Sequence, residues 1–150
     1  MSDNTDISKL DDLIVTTIDS IKGYEHSAER ADRDRYTEFF IAMASERRRV
    51  VEALSARSRE LGGTPADYGS TAATVHRRIE DLRVALGGGD KAILSEIERG
   101  EDYLKEEFER ALADDNISPG TNGVIRACFD SVVHGHDRTK ALKESLAAVA

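Results

Sequence analysis

The sequence predicts an all-α fold in which four long helices form a bundle and one short helix lies in the connection between the second and third. Three observations carry this. The chain is 33% charged and 39% hydrophobic, with no Trp and two Pro, and Ala, Leu, Glu and Arg are prominent, a balance that favours helix over strand. Apolar residues recur at steps of three and four along four long stretches, the period of a helix with one buried face. Between those stretches fall Gly, Pro and Asp residues of the kinds that stop and start helices.

The first helix is read from about Ser8 to Arg30, with Leu10, Ile14, Thr17, Ile21, Tyr24, Ala28 and Ala31 along its seam. Asp32-Arg33-Asp34 breaks it, with Asp34 as the N-cap of a second helix running from Arg35 to Leu61. So short a connection makes the two helices antiparallel neighbours. Gly62-Gly63-Thr64-Pro65 stops the second helix. Gly69-Ser70 then opens a shorter helix to about Leu86, with Ala72, Val75, Ile79, Leu82 and Leu86 on one face. Gly87 to Gly89 end it, Asp90 caps a third long helix to about Ala113, and Ser118-Pro119 starts a fourth that persists to about Val149. A bundle whose long crossover falls in the middle of the chain has the ferritin-like arrangement. The short helix would lie along the outside or one end while the chain crosses. At 150 residues the whole is read as one domain, with residues 1–7 and the last few flexible.

Composition narrows the function classes. A formal net charge of −8 opposes a nucleic-acid partner, since phosphate binding needs a basic surface. The run Arg47-Arg48-Arg49 does not alter that, because a helix spreads it over different faces. No apolar stretch approaches the roughly 20 residues of a membrane span, and the acidic, polar start does not read as a signal peptide. Cys128 is the only cysteine, which points to a reducing cytoplasm. There is no phosphate-cradling glycine loop, zinc-type cysteine cluster or nucleophilic triad.

Three of the apolar stripes are each interrupted by one polar residue. They read Phe40-Met43-Arg47-Val50-Leu54, Ile93-Ile97-Glu101-Leu104-Phe108 and Phe129-Val132-His136-Thr139-Lys143-Leu146. A buried ion is costly unless paired, so Arg47, Glu101 and His136 are expected to meet in an interior network. Asp102 and Asp137, one residue beyond Glu101 and His136, are candidate supporting groups, as are His76 and Arg77 on the short helix. Tyr24 is expected in the core with its hydroxyl satisfied inside.

Several phrases resemble a bacterial family of four-helix-bundle proteins, classed as a domain of unknown function in the ferritin-like superfamily. They are Gly23-Tyr24 with Ala28-Glu29, then Arg47, Leu61-Gly62-Gly63 and Gly69-Ser70, followed by His76-Arg77, Glu98 through Asp102, and His136-Asp137. The resemblance implies the fold and almost nothing about activity. Ferritin-like di-iron sites use a Glu from each of two helices and a Glu-x-x-His pair from each of the other two. In the matching places stand Glu25, Glu46, Glu101 and His136, with Arg49 where a His would be and Val133 where a Glu would be. A full di-iron centre is not expected. The expected function is a non-enzymatic bundle, without a cofactor, that binds a protein partner or itself. The alternative is a metal-binding protein or oxidoreductase holding a single Fe, Mn or Zn at those four residues.

Overall fold

The computed structural model describes residues 3–70 and 89–149, and every regular element in them is a helix. The short helix expected over Ser70–Leu86 lies outside the described residues.

Helix α1 spans Asp3–Arg30 and starts earlier than the seam alone suggests. Asp3 and Asp6 stand in its first turn, where a carboxylate is favoured by the helix dipole. Asp6 is also gripped from outside the helix: it accepts from Ser118 N at 3.1 Å, from Thr121 Oγ1 at 2.7 Å and from the Ser118 hydroxyl. Helix α2 spans Asp34–Glu60. Its N-cap is Arg33, which makes no side-chain cap bond, and Asp34 sits inside the first turn instead. At its far end Gly62 takes φ +90°, and Gly63 N donates to Ser58 O at 2.8 Å. That is the left-handed stop for which glycine is suited. Helix α3 spans Gly89–Ala113 and helix α4 spans Pro119–Val149, the latter with proline in the first position, where its missing N–H costs nothing.

Side-chain contacts fix the direction of each helix. Lys9 meets Asp114, Tyr24 meets Glu101, and Asp32 N donates to Asp90 Oδ1, so α1 and α3 run antiparallel. Glu46 meets Arg138 and Arg57 meets Thr121, so α2 and α4 also run antiparallel. With α1–α2 and α3–α4 joined by short turns, α2 and α3 point the same way. The chain must therefore traverse the length of the bundle between Glu60 and Gly89. Residues 63–70 begin that climb along α1: Gly63 lies against Ile7, Ala66 N donates to Asp11 Oδ1 at 3.1 Å, and Ser70 bonds Asp19 through both its N–H (2.7 Å) and its hydroxyl (2.5 Å).

The buried apolar residues fall into two clusters. One gathers Leu10, Ile14, Leu54, Leu104, Phe108 and Ile125; the other gathers Tyr24, Tyr36, Phe40, Met43, Leu94 and Ile97. Along α2, Arg47 falls between Met43 of one cluster and Val50 of the other. Along α3, Glu101 falls between Ile97 and Leu104. A polar layer separates two apolar ones.

Candidate functional site

That layer takes one side chain from every helix: Tyr24 from α1, Arg47 from α2, Glu101 from α3 and Thr139 from α4. The apolar residues on either side of each carry it inward, and all four are buried, Arg47 at 0% and Glu101 at 2% exposure. Arg47 Nη2 donates to Glu101 Oε1 at 2.7 Å and to Oε2 at 2.5 Å. The Tyr24 hydroxyl donates to Glu101 Oε1 and lies 3.3 Å from Thr139 Oγ1. Arg47 Nε and Nη1 have no hydrogen-bond partner among the described residues.

Burial and charge act together on these groups. Burial first, then the Glu101 carboxylate, hold the Tyr24 phenol well above its ordinary 10.0, so it remains a hydrogen-bond donor. Burial works against the Arg47 charge, but Glu101 beside it outweighs burial and raises the pKa. The layer is an ion pair with a neutral phenol leaning on it, and none of these groups is poised to exchange a proton near neutral pH.

One glycine makes the pair possible. A β-carbon on Gly135 would come within 2.5 Å of Arg47 Nη2 and 2.6 Å of Met43 Cε. The buried stripe of α4 accordingly runs Thr121, Ile125, Cys128, Val132, Gly135, Thr139. The reading from sequence ran it through His136. The true seam lies one residue back because the guanidinium needs an empty place on α4, and glycine supplies it.

His136 sits on the flank of that seam, 14% exposed, where Nε2 meets Asp102 Oδ1 at 2.6 Å and Nδ1 meets Asp137 Oδ1 at 3.4 Å. It thus joins α3 to α4 beside the polar layer, and its recorded partners are these two aspartates, not Arg47 or Glu101. Of the other residues singled out in the sequence, Glu25 is half exposed and pairs with Arg48 at 3.3 Å. Glu46 pairs with Arg138 at 3.5 Å, and Arg49 and Asp137 are exposed. His76 and Arg77 lie outside the described residues. Each of Glu25, Glu46, Glu101 and His136 therefore has a different partner. Among the described residues no group of three or more His, Cys, Asp or Glu side chains is placed to hold a metal ion.

Beside the layer, a groove of about 330 Å³ opens between α1 and α3. Tyr24, Glu101 and Ile97 lie on its inner side, with Ser20, Gly23 and Gly100 along its walls.

Sequence reasoning missed Gly135 and the grip on Asp6. A glycine in mid-helix between two histidines was the available signal for the first. The second had none, because the partners of Asp6 lie more than a hundred residues away.

Residues 5–114 match the family described as a domain of unknown function (DUF2383), and the chain belongs to that family. The match takes in α1, α2 and α3, and with them Tyr24, Arg47 and Glu101; Gly135 and Thr139, on α4, lie beyond it. A comparison with curated proteins found no match.

Proposed function

For this member of the DUF2383 family, we propose a non-enzymatic role. It is a ferritin-like bundle whose interior ion pair fixes how the helices meet, and it works by binding a protein partner or a second copy of itself. The ferritin-like assignment rests on the direction of the helices, with α2 and α3 pointing the same way and the chain crossing the bundle between them. The same reading places a short helix, Ser70 to Leu86, in that crossover. The unpaired, buried Cys128 suits a cytoplasmic setting, and no described helix is long and apolar enough to cross a membrane.

One observation carries the choice between an interaction module and a metal protein. Both oxygens of Glu101, the carboxylate deepest in the bundle, are taken by Arg47. A guanidinium cannot be deprotonated in a protein, so a cation brought to Glu101 would meet a fixed positive charge. His136, Asp137 and, in the crossover, His76 and Arg77 are assigned to holding the helices together around that pair.

Elemental analysis of protein purified from cells supplemented with iron, zinc and manganese tests this, together with the variants E101A and H136A. Sub-stoichiometric metal, and a melting temperature unchanged when any of the three is added, is the expected result. Two equivalents of iron per chain, lost in H136A, would overturn the proposal and make the protein a redox enzyme.

A further inference from the structure

Glycine in a helix interior is unfavourable relative to alanine, so its presence calls for a local reason. At Gly135 that reason is Arg47. Gly23 in α1 and Gly100 in α3 face each other across the groove, yet no described atom lies within 4 Å of a β-carbon built on either. The described helices give no cause for them.

The path of the chain does. Residues 63–70 climb α1 and end with Ser70 bonded to Asp19, itself a wall residue of the groove. The chain reappears at Gly89, and Asp90 accepts the N–H of Asp32, beyond the end of α1. From Asp19 to Asp32 the distance along a helix is about 20 Å at 1.5 Å per residue. Ser20, Gly23, Tyr24 and Ser27 of the groove all lie in that interval. A fully extended connection from Ser70 to Asp90 would reach about 65 Å, three times what is needed. A helix covers the distance, with Gly87 to Gly89 left over for the turn into α3.

We infer that the groove between α1 and α3 is the seat of residues 71–86 of the same chain, the stretch whose apolar positions Ala72, Val75, Ile79, Leu82 and Leu86 recur along one face. Their side chains would fill the space over Gly23 and Gly100. Charge agrees: the groove presents Asp19, Glu96 and Glu101 against Arg99, while the stretch carries His76, Arg77, Arg78 and Arg83 against Glu80 and Asp81. This assignment rests on the crossover helix proposed above, and the test separates the two.

The stretch contains three trypsin sites, at Arg77, Arg78 and Arg83. Gly23→Phe and Gly100→Phe fill the groove without striking a described atom. Limited trypsin digestion of the wild-type chain should spare these sites, and each variant should be cut there roughly tenfold faster or more, with the four-helix circular dichroism retained. Backbone chemical shifts of 71–86 are recorded in parallel. Helical shifts with cleavage unchanged in both variants would refute the seat and leave the crossover helix standing. Non-helical shifts in the wild type would remove the helix and the seat together. A change in sedimentation without a change in cleavage would give the groove to a second copy of the chain, and so overturn the assignment.

Discussion

Gly135 on α4 stands so close to Arg47 on α2 that a β-carbon there would meet the guanidinium carbon at 3.2 Å and Nη2 at 2.5 Å. Two helices that share no turn are thus brought together at a single missing side chain. The buried arginine is accommodated by backbone, and its charge is answered by Glu101 from a third helix.

Gly135→Ala should therefore destabilise the fold, against the usual sign. In an unobstructed helix the change stabilises by roughly 0.5–1 kcal/mol; here the overpacking term, about 1–3 kcal/mol, opposes it. Gly123 lies in the same helix with nothing within 4 Å of its β-carbon, so Gly123→Ala should stabilise. Urea unfolding of the two variants in one series checks the contrast. Equal gains in both would mean that α4 does not press on Arg47.

Arg47→Met alone strands the Glu101 carboxylate and should cost about 3–5 kcal/mol. Adding Glu101→Leu removes the stranded charge and should restore most of that loss, because only one of the three guanidinium nitrogens is partnered among the described residues. A double variant as unstable as the single one in equilibrium unfolding would show that the pair is worth more than the apolar packing that replaces it.

Asp6 gives the protein an acid limit. Its burial raises the pKa, but the Ser118 and Thr121 hydroxyls, the Ser118 N–H and the charge of Arg57 together pull it below the ordinary 3.8. A carboxyl held lower in the folded chain contributes stability that is present above the unfolded value and is lost as pH falls through the folded one. Unfolding free energy measured from pH 6 downward should therefore decline below about 4. In Asp6→Asn that component of the decline should be missing, with about 1–2 kcal/mol already lost at neutral pH. Parallel acid curves for the two proteins would contradict the assignment.

Cys128 should be inert in the native state. Burial pushes its thiol up to about 11, and only 6% of the residue is exposed, while the nucleophile is the thiolate. A disulfide reagent at pH 8 should label the folded chain slowly and the urea-unfolded chain at once. Rapid labelling of native protein would place Cys128 at the surface.

The four long helices were legible because each rests on a local cause: a three-four apolar step, or a Gly or Pro at an end. Arg47 and Glu101 stood out for the same reason, as polar residues set within apolar stripes. His136 shows the limit of such reading. The stripe through Phe129, Val132 and His136 and the stripe through Cys128, Val132 and Gly135 share Val132 and differ by a small rotation of the helix. Only the volume of the arginine across the interface chooses between them. The four carboxylate and imidazole groups considered as metal ligands failed to gather for a similar reason. Glu25 and Glu46 each find an arginine nearby, and no helical period reports which arginine will be near. Asp34 was misplaced by one residue as a cap, since the backbone turns at Arg33 without a side-chain bond.

The grip on Asp6 has a consequence for the order in which the chain comes together. Its partners Ser118 and Thr121 lie 112 and 115 residues further on. During synthesis the first turn of α1 is complete long before the groups that hold it exist. Contacts so remote in sequence form late, since the entropy of closing the loop must be met before they contribute. The opening turn of α1 and the start of α4 are thus expected to lock together after the α1–α2 hairpin has already paired. Almost three-quarters of the chain lies within the loop that this one carboxylate closes.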